Sequence, residues 1–246
     1  MIGWLNPGDP FPSAETALAD PNGLLCAGLE VTPALVLAAY ERGIFPWYSE
    51  GQPVLWWSPD PRMVLLPNKF RLHRSLRKSL QHSDYEIRVD TSFEAVMRAC
   101  ADPRPEQGGT WISEAIIAAY TALHRAGFAH SVETWMDGEL VGGLYGIALG
   151  RVFFGESMFV RRTDASKIAF AHLVAQLKRW KFELIDCQQE TEHLASLGAT
   201  PVTRKAFLEA LSRLVHTDAV SPRVGTWTFD ADLLRELLGP TNRSDT

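Results

Sequence analysis

The chain has 246 residues, 46% of them hydrophobic and 22% charged, and it carries a net charge of −5. These values are typical of a globular protein with one large or two unequal domains, and they argue against a general affinity for nucleic acid. The sequence has no apolar run near the roughly 20 residues that span a bilayer and no signal-peptide pattern at its N-terminus. Its three cysteines show no CxxC spacing, so we expect no disulfide framework and no metal site. Together these features predict a cytoplasmic protein without membrane spans.

The N-terminal part predicts one short helix followed by a segment rich in aromatic residues. Thr32 and Pro33 are typical of a helix N-terminus, and Gly43 is typical of a helix end. The segment Gly43–Arg62 holds three tryptophans and four prolines, which are too many breaks for one helix or one long strand. We expect its rings either to line a pocket for a flat ligand such as a nucleobase or to seal two domains together.

An apolar run and a basic stretch follow this segment. Residues 63–66 predict a short strand, and we place a domain boundary between residues 62 and 68. From Lys69 to Lys78 the chain has no acidic residue, and Arg71, Arg74 and Lys78 recur at helical spacing, with Arg77 beside them. A helix here would present one basic face, which is either simply solvated or in contact with the phosphates of an RNA.

Helices and strands alternate through the next part of the chain. Hydrophobic periodicity predicts helices at 92–101, 113–125, 165–178, 190–196 and 204–214, and strands at 85–89, 129–135, 139–148, 151–155 and 182–187. Asp137 and Gly138 indicate a hairpin, and Asp164 is expected to cap the helix that follows it. This order predicts an α+β fold with a mostly antiparallel sheet. It resembles acyltransferases of the GNAT kind, in which a splayed central sheet forms the acyl-donor cleft.

We therefore divide the chain into three parts: a small N-terminal α+β domain (1–65), a GNAT-like catalytic domain (66–215) and a C-terminal tail (216–246). Within the tail, residues 230–238 predict a short amphipathic helix, and residues 241–246 are expected to be disordered.

Two acids and an amide follow apolar strands in the second domain. Asp186 and Gln188 alternate, so we expect them on one face of a strand, with Cys187 on the other face as a buried thiol. Glu156 comes directly after an apolar pair of phenylalanines. A carboxylate in such a place must be paired, hydrogen-bonded or shifted in its pKa. The two acids either share one cleft or serve as structural acceptors for backbone amides.

Several motifs, in order, resemble the leucyl/phenylalanyl-tRNA–protein transferase family of bacteria. They include GIFPWYSEGQPVLWWSPDPR, GTWI, ELVGGLYG, FFGESMF and LIDCQ, and the similarity covers about residues 20–214. The resemblance implies a small N-terminal domain followed by a GNAT-like domain. It also implies transfer of leucine or phenylalanine, less readily methionine, from aminoacyl-tRNA to a protein that begins with arginine or lysine. No cofactor, metal or ATP is implied, and the product carries a degradation signal of the N-degron pathway.

The resemblance also implies roles for individual residues. Asp186 would be the base that takes a proton from the attacking amine or would orient that base, Gln188 would donate to the oxyanion, and Glu156 would hold an amino group. The resemblance implies an apolar pocket for the donor side chain, lined by Phe153, Met158 and Ile185. It implies that Trp47 and Trp111 contact the terminal adenosine, beside Phe45. It also implies that the tRNA stem contacts Arg71, Arg74, Arg77 and Lys78. Family members can carry methionine where this chain has Leu144, which bears on the preference between leucine and phenylalanine.

Two rival functions stay open. A GNAT-type acetyltransferase would bind acetyl-CoA, but it would need a glycine-rich loop before a helix, and residues 159–166 contain no glycine. A non-catalytic RNA-binding module would explain the aromatic residues and the basic stretch, but it would leave Glu156 and Asp186 without a task.

Overall fold

The computed structural model describes residues 2–49, 51–82, 84–102, 110–216 and 225–238. Its strands are β1 (Gly3–Leu5), β2 (Leu24–Gly28), β3 (Phe45–Pro46), β4 (Val54–Trp57), β5 (Arg62–Leu65), β6 (Glu86–Val89), β7 (Ala129–Met136), β8 (Glu139–Leu149), β9 (Val152–Val160), β10 (Leu184–Gln188) and β11 (Thr200–Val202). Its helices are α1 (Pro33–Tyr40), α2 (Arg74–His82), α3 (Phe93–Ala101), α4 (Glu114–Arg125), α5 (Ala165–Arg179), α6 (Glu192–Ser196), α7 (Arg204–Val215) and α8 (Leu233–Leu238).

The N-terminal part forms a four-stranded sheet in the order β1-β2-β4-β3. The predicted helix start is confirmed, since the Thr32 side chain accepts a hydrogen bond from the Leu35 N–H at 3.2 Å and Pro33 begins α1. Trp56 lies in the core of this part, fully buried and in edge contact with the Phe11 ring at 4.8 Å. The aromatic segment therefore supplies the rings of Phe45 and Trp56 to the interior, in addition to lining a cavity.

The larger sheet has seven strands in the order β11-β5-β10-β9-β8-β7-β6. Its neighbours are antiparallel except for β9 and β10, which are parallel. Alternate residues of β8 face opposite layers: Tyr145 and Ile147 pack in the cluster that includes α3 and α4, whereas Leu144 and Ala148 pack with α5. The predicted α+β class with a mostly antiparallel sheet is confirmed.

Three local predictions need correction. β9 continues to Val160 instead of ending at residue 155, so Glu156 lies within a strand. α2 begins at Arg74, so Arg71 precedes the helix and the predicted basic face is not one continuous helical stripe. Asp164 makes no capping bond; its carboxylate accepts from the Ser79 hydroxyl at 2.7 Å and from the Lys167 ammonium at 2.9 Å, because its backbone is left-handed with φ of 61°.

The first strand after the aromatic segment belongs to the larger sheet, where β5 pairs with β10 and β11. The predicted boundary after residue 65 falls at the end of this strand, and the division into domains stays a prediction. In the tail, α8 is shorter than expected and packs against an apolar cluster formed by Leu76 and Leu80 of α2 with Ile168 and Ala171 of α5. Residues 241–246, expected to be disordered, lie outside the described residues. Within the described part of the chain, we find no helix with the length and apolar character that a membrane span requires.

Candidate active site

The parallel strands β9 and β10 diverge and open two connected cavities. Their pairing ends at Phe154 and Asp186, and the residues that follow line the gap between them. One cavity, the open cleft, has a volume of about 800 Å³, and the other, the side pocket, has about 230 Å³. The two share a border made of Glu156, Ser157, Cys187, Gln188, Thr191 and Leu194.

Glu156 is the centre of a hydrogen-bonded group at this border, which we call the acid cluster: Glu156, Tyr40, Tyr120 and Gln188. Its carboxylate accepts from the hydroxyl of Tyr40 at 2.5 Å, from the hydroxyl of Tyr120 at 3.1 Å and from the Gln188 side-chain amide at 2.9 Å. Burial raises the pKa of Glu156 to about 7; the hydrogen bonds lower the pKa and the charge of Asp186 raises it further, but burial is the largest effect. Glu156 can therefore gain and lose a proton near neutral pH.

The two tyrosines of the acid cluster come from helices far apart in the chain. Tyr40 ends α1 and Tyr120 lies in α4, and their hydroxyl oxygens are 2.8 Å apart. Burial raises the pKa of both phenols well above the ordinary value, and the nearby Glu156 adds to the effect. Both side chains stay neutral as a result, and they act as hydrogen-bond donors to the carboxylate.

Asp186 lies behind this group in a buried ion pair. The Arg62 guanidinium donates to both carboxylate oxygens, at 2.8 Å from Nε and 2.6 Å from Nη2, and both side chains are fully buried. Arg62 also donates to the Gly43 carbonyl at 3.0 Å and lies between the rings of Phe45 and Phe207, at 4.9 and 4.6 Å from their centroids. A bidentate pair with these neighbours holds the aspartate in one orientation.

The chain between Asp186 and Gln188 bulges. The register of β10 against β5 shifts there, and Gln188 has φ of 58°, a left-handed conformation that is uncommon for residues other than glycine. The Gln188 backbone N–H donates to Asp186 Oδ1 at 2.9 Å. The expectation that both side chains share one face is wrong, because the bulge breaks the alternation: Asp186 faces Arg62 in the interior and Gln188 faces the cavities.

Cys187 also differs from its expected place. It lines both cavities instead of facing away from them. Burial raises the pKa of its thiol, and the charge of Asp186 adds to this. A thiol with a raised pKa is a weak nucleophile at neutral pH, so its position at the border does not make it a catalytic thiolate.

Aromatic rings form much of the wall of the open cleft. The lining includes Phe45, Trp47, Tyr48, Trp57 and Trp111. Trp47 is 40% exposed, its ring lies 5.5 Å from that of Trp57, and the Trp57 indole N–H donates to the Trp47 carbonyl at 2.7 Å. The structure thus brings together Trp47 and Trp111, the two residues expected to hold an adenosine, with Phe45 in the wall of the same cavity.

The side pocket is apolar and lies between β8, β9, β10 and α5. Its apolar lining includes Leu144, Phe153, Met158, Phe170 and Ile185, so the three residues expected to form a pocket for a hydrophobic side chain do line one cavity. The pocket opens at the shared border beside Glu156 and Gln188. A ligand that spans the border would have an apolar group in the pocket and its polar part at the acid cluster.

The basic stretch adjoins the rim of the cavities. Arg71, Arg74 and Lys78 are exposed, whereas Arg77 is half-buried and donates to the Leu238 carbonyl. The Arg71 N–H donates to the Leu197 carbonyl at 2.9 Å. The His73 ring also bonds to the Ser196 carbonyl at 2.6 Å, so the start of the stretch lies next to α6, which supplies lining residues to both cavities.

Comparison with known proteins decides the family. The family model described as leucyl/phenylalanyl-tRNA protein transferase matches residues 64–212, and the model for the N-terminal domain of the same proteins matches residues 30–60. The chain belongs to the leucyl/phenylalanyl-tRNA protein transferase family. Members of this family are aminoacyltransferase enzymes, and this chain is one of them.

Two relatives illustrate how closely the family matches. A leucyl/phenylalanyl-tRNA–protein transferase of Nitrosospira multiformis is 59% identical over 230 residues, which cover 94% of this chain and 98% of the relative. The corresponding protein of Cupriavidus taiwanensis is 58% identical over 247 residues, covering 97% of each chain. The matched stretches include the aromatic segment and the strands β9 and β10, which carry Glu156 and Gln188.

Solved structures similar to this family member are more distant. One is a GCN5-related N-acetyltransferase from Kribbella flavida, with a TM-score of 0.37 and 15% identity over 70% of this chain and 61% of that chain. Another is L-PGS from Bacillus licheniformis, with a TM-score of 0.44 and 8% identity over 79% of this chain and 73% of that chain. Both likenesses concern the fold only.

Three site residues of this family member were missed in the sequence. Tyr40 and Tyr120 stand among alanines and leucines in helices, where they predict only apolar packing, although a buried tyrosine hydroxyl usually needs a partner. Arg62 stands at the end of the aromatic segment, directly before an apolar strand. That position indicates burial, and a buried arginine requires an acidic partner.

Proposed function

We propose that the chain transfers leucine or phenylalanine, and less readily methionine, from aminoacyl-tRNA to proteins that begin with arginine or lysine. The product then carries a degradation signal of the N-degron pathway, and the reaction takes place in the cytoplasm. The observation that carries the proposal is the junction of the two cavities. An apolar pocket of amino-acid size and an aromatic cleft meet beside a carboxyl with a pKa of about 7 and an amide.

The donor fits the two cavities by its chemistry. The side pocket takes the leucine or phenylalanine side chain, and the open cleft takes the terminal adenosine against Trp47 and Trp111, beside Phe45. Stacking of one base on an aromatic ring is worth about 1–3 kcal/mol. In this pose the ester carbon lies at the border between the cavities, next to Glu156 and Gln188.

The reaction is the attack of an amine on an ester. The acceptor's N-terminal nitrogen bonds to the carbonyl carbon, the bond from that carbon to the ribose oxygen breaks, and the ribose oxygen receives the proton that the amine has given up and leaves as a hydroxyl. The amine attacks only when it is neutral, so a group near the ester must take its proton. Glu156 is suited to hold the amine and accept this proton, because burial raises its pKa to about 7. Gln188 can turn its amide N–H toward the developing oxyanion, a contribution of about 2.7–4 kcal/mol for one donor.

Asp186 influences the same step indirectly, from a position behind the acid cluster. Its oxygens accept bonds from Arg62 and from the Gln188 N–H, and its side chain is fully buried. This geometry favours the second of its two expected roles, orienting the reacting groups, over direct contact with the amine. Asp186 holds the bulge that aims Gln188 at the cavities, and its charge contributes to the raised pKa of Glu156.

The tRNA stem is expected to contact Arg71, Arg74, Arg77 and Lys78. The stretch begins beside α6, where Arg71 bonds to Leu197, and α6 lines the cavities. Phosphate contacts carry no sequence information, so donors of different tRNA identity can be used. Much of the rate gain should come from holding the ester and the amine together.

One assay tests this function against both rivals. Purified protein is mixed with tRNA charged with radiolabelled leucine and a peptide that begins with arginine. We expect label on the peptide, and none on the same peptide with an acetylated N-terminus. Transfer of an acetyl group from acetyl-CoA to the peptide would support the acetyltransferase, and tRNA binding without any transfer would support the RNA-binding module.

A further inference from the structure

The C-terminal tail passes behind the side pocket. Trp227, only 2% exposed, lies in the apolar cluster that contains the pocket residues Phe153, Leu144 and Ile185. Its ring centroid is 6.0 Å from that of Phe153, at an interplanar angle of 40°. Phe153 itself is 1% exposed and lines the side pocket. One ring of the pocket wall is therefore supported by a residue of the tail.

The indole of Trp227 is fixed on its other sides. It stacks on His130 with centroids 3.7 Å apart and planes 9° apart, and it makes edge contacts with Trp180 at 5.0 Å and Phe182 at 6.2 Å. A ring enclosed in this way cannot move back, so Phe153 has no space to retreat when a larger group enters the pocket.

The tail backbone is held in register at Trp227 and at a residue after it. The Trp227 N–H donates to Asp90 Oδ2 at 2.9 Å. Further along, Asp230 and Gln176 exchange two hydrogen bonds, from the Asp230 N–H at 2.7 Å and from the Gln176 amide at 3.0 Å. These bonds fix where the indole sits along the pocket wall, independently of the indole's own packing.

We propose that Trp227 is a specificity-determining residue, which sets the depth of the side pocket by holding Phe153 in place. This inference rests on the proposed function. The pocket has a volume of about 230 Å³, and we expect donors with larger side chains to be used less readily than leucine because Phe153 cannot yield. Trp227 contacts no reacting atom and acts through Phe153.

The test compares donors of different size. Trp227→Ala is assayed with tRNA charged with leucine, phenylalanine or 2-naphthylalanine, and kcat/KM is measured for each. A pocket discriminates by about 10–200-fold for a group of methylene size, so we expect the naphthylalanine-to-leucine ratio to rise at least about tenfold. Trp227→Phe, which keeps a ring in the same place, should give a smaller rise and serves as the deciding variant if Trp227→Ala does not fold.

Phe229→Ala is the matched control. Phe229 belongs to the same tail and contacts Trp180 at 5.7 Å and Trp227 at 6.4 Å, so its loss loosens the cluster without removing the support of Phe153. We expect a lower melting temperature but an unchanged donor ratio. A ratio that stays constant in the folded Trp227 variant, or that rises equally in the Phe229 variant, overturns the proposal. Absence of leucine transfer by the unmodified protein would instead refute the proposed function, and this inference with it.

Discussion

Replacement of Glu156 by glutamine should change how the stability of the fold depends on pH. Burial raises the pKa of Glu156 from the ordinary 4.5 to about 7, so between these values the folded state binds a proton that the unfolded state has released. The stability of the protein therefore falls as pH rises from about 4.5 to about 7 and stays lower above that range. One pKa unit corresponds to about 1.36 kcal/mol, so this loss is at most about 3 kcal/mol, an upper limit because the cleft admits water.

The glutamine side chain keeps the shape and carries no charge at any of these pH values. The free energy of unfolding is measured in urea from pH 5 to 8.5 for the unmodified protein and for Glu156→Gln. As the pH rises, the unmodified protein should lose up to about 3 kcal/mol of stability relative to the variant. Glu139→Gln removes a charge at an exposed site and is the control, with an expected constant difference. A constant difference for Glu156→Gln as well would refute the reasoning about its pKa.

Three further predictions concern the buried ion pair, the basic stretch and the aromatic wall of the open cleft. Asp186→Asn should lower the free energy of unfolding by about 3–5 kcal/mol in urea titrations, because it leaves the buried Arg62 charge without its partner. Arg74→Glu combined with Lys78→Glu should weaken tRNA binding and flatten its salt dependence, as measured by fluorescence anisotropy at several salt concentrations. Trp111→Ala should weaken binding of aminoacyl-tRNA by about 1–3 kcal/mol in the same assay, through the loss of base stacking.

The first two of these have controls within the chain. The double variant Arg62→Met with Asp186→Leu should recover part of the lost stability, since it buries no charge; a double variant no more stable than Asp186→Asn would contradict the ion-pair argument. Lys205→Glu with Arg213→Glu reverses two exposed charges on α7 and should leave tRNA affinity unchanged. Equal losses from both charge pairs would mean that total charge, not the basic stretch, governs binding.

Local patterns in the sequence were sufficient for most of the fold. The hairpin at Asp137 and Gly138 has positive φ at both residues, 54° and 79°, as its turn residues predict. The alternation in β8 and the cap at Thr32 were also readable, because both depend on neighbours within a few positions. The end of β9 was misplaced because polar residues that line a cavity resemble the end of a strand.

The site was predicted less completely, because its chemistry depends on contacts across the chain. The bond between Arg62 and Asp186 joins residues 124 positions apart, and the bond between Tyr40 and Glu156 joins residues 116 apart. Periodicity carries no information about such pairs. The bulge before Gln188 was equally hidden, since strict alternation was the simplest reading of a five-residue strand.

The central claim is that a charged tRNA end lies across the junction of the two cavities. A crystal structure with a non-hydrolysable 3′-aminoacylamido adenosine carrying phenylalanine tests it directly. The account predicts the phenyl ring in the side pocket against Phe153 and Met158, the adenine in the open cleft against Trp111, and the carbonyl within hydrogen-bond reach of Gln188. An analogue bound elsewhere, or bound with its adenine in the side pocket, would contradict it.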